Sequence, residues 1–438
     1  MRSRDARSGR ALTMRFEDSR EFAAAQDRND PLAAWRGEFN FPRDRNGYSP
    51  IYLCGNSLGL QPKRAVEFVE QELGNWRDYA VDGHFHSDRP WVSYHRQAAG
   101  GFAELTGARE SEVVAMNTLT VNLHVLMASF YKPTESRYKI VIESQAFPSD
   151  RYAAASQLRL HGFDPDGGLL EWKPGRDGIL RIDALESLLQ REGHSTALLL
   201  LPGVQYYSGQ VLDMAAICEL GRQADCAVGL DLAHAIGNVE MELHAWAPDF
   251  AAWCTYKYLN SGPGAIAGAF VHERHLSPAN LDQLHGWWGH DETTRFRMSR
   301  TFTPANGAEL WQMSNPPILA LAPVIASLQM FREAGMPALI AKSRRLTAYL
   351  AWLIEKRFGD RIGLVTPADA RGCQLSLVVL DEAIDARALF DVLCERNVTG
   401  DWREPDVIRV APVPMYNSFA DVFEFTERFG AALNELSA

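Results

Sequence analysis

The chain has 438 residues, 46% of them hydrophobic and 23% charged, proportions that exclude a disordered, collagen-like or coiled-coil protein and leave ample material for a packed core. Lys+Arg 44 against Asp+Glu 55 gives a net charge of −11, so nothing global draws the chain to nucleic acid. At roughly 100–200 residues per domain, two or three domains are expected.

Residues 1–30 read as a flexible leader. Its Arg2, Arg4, Arg7 and Arg10 hint at an organelle presequence, but Asp5 and the lack of an amphipathic apolar face argue against one, and Met14 offers an alternative start. Residues 31–61 are expected to pack with a small domain, and they hold a short strand, Tyr48 to Leu53, and the turn Gly55-Asn56-Ser57-Leu58-Gly59. The large domain is expected over 62–317. Pro62 opens a helix with Val66, Val69, Leu73 and Trp76 on one face, and a second helical stretch covers Tyr94 to Leu105.

From Val113 strands and helices alternate. Val113–Met116 leads into an amphipathic helix from Thr120 to Tyr131. Tyr138–Ile142, Thr196–Leu201, Ala227–Leu230, Phe250–Cys254 and Ala265–Val271 are nearly continuous apolar runs, the mark of strands covered on both faces. Helices such as Ile182–Arg191 and Asp213–Ala224 fall between them, which argues for an α/β fold with a mostly parallel sheet wrapped by helices. A smaller α+β domain is expected over 318–438. It has two long helices (Ile318–Ala334, kinked at Pro323, and Pro337–Phe358), strands at Gln374–Leu380 and Val407–Val410, the helix Ala386–Arg396, and a last helix capped by Ser418 with Asp421 three residues on.

The six cysteines, Cys54, Cys218, Cys226, Cys254, Cys373 and Cys394, form no C-x-x-C pair and read as reduced thiols of a cytoplasmic protein that holds no metal. No window approaches the roughly 18–20 apolar residues that cross a bilayer.

Only seven of the 44 basic residues are lysine. A lysine in an apolar setting therefore does something arginine cannot. Lys257 follows the apolar run ending in Trp253 and Cys254, sits between Tyr256 and Tyr258, and precedes the Gly262-Pro263-Gly264 turn; Asp231 directly follows the strand Ala227–Leu230. Both lie at carboxyl ends of buried strands, where open α/β sheets place their ligands. A partly desolvated amine is easier to keep neutral, as a Schiff base requires. A carboxylate beside it suits pyridoxal 5'-phosphate (PLP), whose ring nitrogen must stay protonated for the ring to accept electrons. Against this stands the plainer reading of a solvated lysine and a helix-capping aspartate.

The stretch Asp231-Leu232-Ala233-His234-Ala235-Ile236-Gly237-Asn238-Val239, with Trp253-Cys254-Thr255-Tyr256-Lys257-Tyr258-Leu259-Asn260 and Ala267-Gly268-Ala269-Phe270, resembles the kynureninase family. Further matching blocks are Gly55 to Lys63, Leu119 to His124, Phe147-Pro148-Ser149-Asp150, Ser314-Asn315-Pro316-Pro317 and Arg409-Val410-Ala411-Pro412, in order from about residue 50 to 420.

The resemblance implies the PLP fold type I, class V aminotransferase group, with a seven-stranded sheet, PLP as cofactor, and a homodimer whose active sites are shared between subunits. It implies hydrolysis of the Cβ–Cγ bond of kynurenine or 3-hydroxykynurenine, giving an anthranilate and alanine, in tryptophan breakdown or NAD biosynthesis. By the same resemblance Lys257 would carry the cofactor covalently and take the substrate α-proton, Asp231 would face the ring nitrogen, His234 would lie near the ring and its phenolic oxygen, and Phe147 would stack on it. Leu119 and Thr120, at a helix start, would hold the phosphate, a dianion suited to free N–H groups, with Ser149, Asp150 and Tyr256 around the cofactor. Tyr256 would also be a proton donor. Trp287 and Asn315 match residues reaching in from the second subunit. Arg409 matches the residue that grips the α-carboxylate, and Ser57, His84 and Asn315 line the aryl pocket in an arrangement closer to that associated with 3-hydroxykynurenine. Pro202 stands where some relatives have a phosphate-binding serine.

Two other readings compete. A cysteine desulfurase needs a mobile nucleophilic cysteine, for which Cys373 is the nearest candidate. A metal-dependent hydrolase would draw on Asp231, His234, His285 and His290.

Overall fold

The computed structural model describes residues 15–44, 46–277 and 282–437. Arg2, Arg4, Arg7, Arg10 and Met14 lie outside the described residues. The remainder of the expected leader is built into the fold. Helix α1 (Arg20–Arg28) is capped by the Ser19 hydroxyl, which accepts from Phe22 N at 3.2 Å. Asp27 accepts the backbone N–H groups of Phe419 and Ala420 at 2.7 and 3.0 Å, capping the C-terminal helix, and Asp30 forms a buried ion pair with Lys342 at 2.7 Å. A charge withdrawn from water this far is kept only with a partner, so the flexible reading fails for 20–30.

Seven strands form the main sheet: β1 (Val113–Ala115), β2 (Lys139–Glu143), β3 (Leu169–Trp172), β4 (Thr196–Pro202), β5 (Ala227–Asp231), β6 (Phe250–Trp253) and β7 (Gly268–Val271), in the order β1-β7-β6-β5-β4-β2-β3. Strands β2 to β6 run parallel, whereas β7 is antiparallel to both its neighbours. Nearly every residue of β4, β5 and β6 is buried, as strands covered on both faces require. The chain-order reading anticipates neither β3 nor the helix Pro148–Leu160. That helix buries Asp150 and Gln157 beside Ala153, Ala154 and Leu158, which blurs its apolar periodicity.

A four-stranded antiparallel sheet, β8 (Ile362–Leu364), β9 (Leu375–Val379), β10 (Asp401–Arg403) and β11 (Val407–Val410) in the order β8-β9-β11-β10, carries a second core with helix α2 (Met336–Phe358) and helix α3 (Phe419–Leu436). Ser418 and Asp421 make the capping box at the start of α3. Two details depart from expectation. The helix Ile318–Ala334 buries Leu321, Val324, Ile325, Leu328 and Phe331 in the core of the large sheet, so by packing it belongs with the large domain, not the small one. The helix Lys63–Tyr79 buries Ala65 and Glu72, while Val66, Leu73 and Trp76 of the expected inner face are exposed, Trp76 by 61%. Glu72 is drawn inward by the indole N–H of Trp91, which donates to it at 2.8 Å.

Residues Ile51–Tyr52 run parallel to Val398–Thr399 of the small domain. The chain then turns back into the large domain at Gly55 to Gly59, which places this turn where the two cores meet.

Candidate active site

A cavity of about 300 Å³ lies at the carboxyl ends of β2, β4 and β5. Its position follows from the parallel strands, whose last residues, Glu143, Pro202 and Asp231, all face it. Of the residues expected in the site, Ser57, Leu119, Thr120, Phe147, Ser149, Asp150, Asp231, His234, Tyr256, Lys257 and Arg409 line this cavity, as does Pro202. His84, Trp287 and Asn315 do not. His84 sits in a 3₁₀ turn with Nδ1 3.0 Å from the Val81 carbonyl oxygen, Trp287 is 49% exposed, and Asn315 is exposed.

Lys257 stands on the loop leaving β6. Asn260, with φ of +55°, closes a turn by donating its N–H to the Lys257 carbonyl at 3.0 Å. The Gly55–Gly59 turn docks on the same loop, with Gly59 N–H donating to the Tyr256 carbonyl at 2.8 Å. A Cβ at Gly59 would collide with the Lys257 carbonyl oxygen and stand 2.8 Å from Asn260 Cα, both backbone atoms. Gly59→Ala is therefore expected to cost about 1–3 kcal/mol of stability and to displace the Lys257 loop, read as a lower Tm together with weakened cofactor retention; an unchanged protein would contradict this docking.

Lys257 Nζ lies 2.7 Å from His234 Nε2. Burial first, then the Lys257 charge, holds the His234 imidazole well below the ordinary range, so it is neutral and accepts from the amine. His234 Nδ1 is buried without a partner. Asp231 Oδ1 accepts the Ala233 N–H at 2.7 Å. Burial raises the Asp231 carboxyl, and burial followed by the Asp231 charge raises its neighbour Asp150 still more strongly. Of the two neighbouring acids, Asp150 is thus the one pushed further toward its protonated form.

Glu143, which the sequence reading misses, is a third buried acid here, pushed up to about 7 chiefly by burial. A carboxyl that binds its proton more tightly folded than unfolded supports the fold fully below its ordinary value near 4.5, and that support is lost as pH rises through about 7. Glu143→Gln is thus expected to stabilise the cofactor-free protein at pH 8 by up to about 3 kcal/mol, at about 1.4 kcal/mol for each tenfold gain in proton affinity on folding, and by nothing at pH 4.5. Denaturant titrations at the two pH values check the sign.

On the other wall, Thr118, Leu119 and Thr120 open the helix Leu119–Phe130, whose first N–H groups point at the cavity, and Thr120 Oγ1 lies 2.7 Å from Ser149 Oγ. Free N–H donors and two hydroxyls make a seat for a phosphate dianion. The Phe147 ring packs edge-on against Tyr206 at 5.2 Å. Tyr256 is raised above the ordinary phenol range by burial and so keeps its proton. Arg409 is buried, with Nη1 donating to the Tyr206 carbonyl at 2.6 Å and Nη2 paired with Asp401. An amine, a buried carboxylate, an imidazole with an unpartnered nitrogen and an anion seat at separate points of one cavity fit PLP.

The competing readings fail on position. Cys373 is fully buried, its thiol pushed up to about 12 by burial and its Sγ accepting from Ser343 at 3.4 Å, so it is no mobile nucleophile. His285 stacks on Phe302, and His290 contacts Thr294 at 3.0 Å; neither lines the cavity with Asp231 and His234. Among the described residues the metal-competent cluster is Glu112, His244 and His272, and there Glu112 already accepts the N–H groups of Arg109 and Glu273.

The fold is shared with a cysteine desulfurase from Escherichia coli (TM-score 0.74, 16% identity, 92% of this chain and 98% of that one). It is shared also with a mutant of C-DES whose structure holds glycine covalently linked to the PLP cofactor (TM-score 0.72, 15% identity, 90% and 99%). The architecture is thus that of the class V, fold type I PLP enzymes. In sequence the chain is 53% identical to a kynureninase from Xanthomonas campestris over 93% of its length and 97% of the relative's, and 48% identical to one from Koribacter versatilis over 96% and 99%. Residues 339–429 match the kynureninase C-terminal domain. The chain belongs to the kynureninase family.

Proposed function

We propose that this protein uses PLP to hydrolyse the Cβ–Cγ bond of L-kynurenine or 3-hydroxy-L-kynurenine, releasing an anthranilate and L-alanine. The observation that carries the reading is the meeting of Lys257, Asp231 and His234 with a phosphate seat in one cavity of a chain half identical to kynureninases. When bound, the cofactor supplies an electron sink for carbanions formed next to the amino acid's nitrogen.

The side chains divide the remaining work. Lys257 would be the residue that holds the cofactor covalently, through Nζ, and its amine would move the proton at the substrate Cα, with neutral His234 beside it to accept from the amine. Asp231 keeps a proton on the ring nitrogen. The Leu119 and Thr120 N–H groups, with the Thr120 and Ser149 hydroxyls, would hold the phosphate, Asp150 sits beside Asp231, and Phe147 would pack on the cofactor ring. Arg409 holds the α-carboxylate, while Ser57 borders the aryl end. Tyr256 has a phenol that keeps its proton and can give it to Cβ as the bond to Cγ breaks. Water balances the reaction: its oxygen ends in the aryl carboxylate, one of its protons restores the Tyr256 phenol and the other leaves with ionisation of the product acid. Fixing these groups relative to one another is the larger part of such catalysis.

A homodimer completes the reading. The exposed stripe of Val66, Leu73 and Trp76 supports it, as do exposed Trp287, Phe296 and Leu319. On this reading His84, Trp287 and Asn315 meet the site across the interface. Six free cysteines support a cytoplasmic location. Among the described residues no single helix is long and apolar enough to cross a membrane.

The test is an assay of purified protein. A yellow protein that releases anthranilate from kynurenine, or its 3-hydroxy form, and no sulfide from cysteine is expected. A colourless protein inert toward both kynurenines would refute the reading.

A further inference from the structure

Arg409 does not meet its ligand alone. Strands β10 and β11 pair antiparallel with Asp401 opposite Arg409, so Asp401, Arg409 and Arg403, two residues along β10, stand on one face. The Asp401 carboxylate bonds to both guanidiniums, to Arg409 Nη2 and to Arg403 Nη2, the latter at 3.2 Å. Both arginines line the catalytic cavity, and the Nε of each is buried with no partner. Arg409 is 1% exposed, and its Nη1 is held by the Tyr206 carbonyl at 2.6 Å.

The Arg409–Asp401 pair is formally neutral, so it offers an incoming carboxylate hydrogen bonds without net charge. One contact on each terminal nitrogen of Arg409 is already made, and its buried Nε–H has no partner. Arg403 restores one positive charge to this wall and brings a second unpartnered N–H. The Asp231 carboxylate also lines this cavity and repels an anion, so the added charge decides which end of the substrate faces the Arg403–Arg409 wall.

We infer that Arg403 is a specificity-determining residue that shares the substrate's α-carboxylate with Arg409, with Asp401 as the common counter-ion that orients both. The inference rests on reading the cavity as the site of a kynurenine-type amino acid. The sequence reading misses Arg403 because nothing in its spacing sets it apart from the chain's other arginines, and only the strand register puts it beside Arg409.

The test compares L-kynurenine with its α-carboxamide, which keeps the size and removes the charge, in wild type, Arg403→Gln and Arg403→Lys, on holoenzyme. In wild type the acid is strongly preferred. In Arg403→Gln the KM for the acid is expected to rise about ten- to a hundredfold, kcat to change less than threefold, and the preference for acid over amide to shrink by the same factor as KM rises. Arg403→Lys, which keeps the charge on an unforked head, is expected to fall between the two, and it carries the comparison should the glutamine variant not fold. A merely structural arginine would lower kcat or stability and leave the acid-to-amide preference as in wild type; that outcome overturns the inference. Failure of the underlying functional reading shows separately, as a wild type that cleaves neither compound.

Discussion

Lys257→Ala is expected to yield a folded, colourless protein whose turnover of kynurenine is lower by a factor on the order of 10⁴ or more, the scale reached when the covalent partner of a catalytic set is removed. The structure separates this effect from damage to the fold. Lys257 is half-buried on a loop held by backbone contacts of Gly59 and Asn260 and by the Thr255 hydroxyl, and among the described residues its amine hydrogen-bonds only to His234. Deleting it removes no ion pair and opens no core cavity, so Tm is expected to move by only a few degrees relative to cofactor-free wild type. Two measurements decide the matter: the visible spectrum of the variant, and borohydride reduction of wild type followed by peptide mapping. A label on any residue other than Lys257, or a variant that keeps its colour, would sink the assignment.

Asp231→Asn is expected to lower kcat about 10²–10³-fold, the scale of removing one preorganised charge from an active site, while making the cofactor-free protein more stable at neutral pH. The opposite signs come from the same burial. Asp231 and Asp150 both hold protons more tightly folded than unfolded, so the stability they lend is complete below the ordinary carboxylate range and is lost as pH rises through their raised values. An amide at 231 removes that loss and relieves Asp150 of a neighbouring charge. Kinetics and denaturant titration at pH 7.5 check the pair of effects. A fall in both activity and stability would show instead that the Asp231 charge supports the fold, since the asparagine Oδ1 can still accept the Ala233 N–H. The site then carries destabilising charge for the sake of its chemistry.

Much of the architecture was legible because local rules agree with global ones. The apolar runs of β4, β5 and β6 stay apolar because both faces are covered, and the capping box at Ser418 is a short-range signal that survives any context. Reading failed where partners distant in sequence override periodicity. Helix Pro148–Leu160 spends inward positions on Asp150 and Gln157; the helix Ile318–Ala334 is claimed by the large core; and residues 20–30, polar and unpromising alone, are ordered by Lys342 and the N-terminus of α3.

Within the site, the chemistry could be read from the chain alone: a scarce lysine and an aspartate at two strand ends, set in blocks that resemble one family, are enough to name the cofactor and the bond it breaks. The electrostatics could not, because they arise from packing. Asp231 is far from Glu143 and Asp150 in the chain and meets them because the strands ending at Glu143 and Asp231 open on one crevice, beside the helix that carries Asp150; Arg403 becomes a neighbour of Arg409 through strand register, and His234 becomes a neutral acceptor through burial. Residue type is written locally, whereas charge state depends on which groups share a low-dielectric space, and that is set by contacts between distant segments.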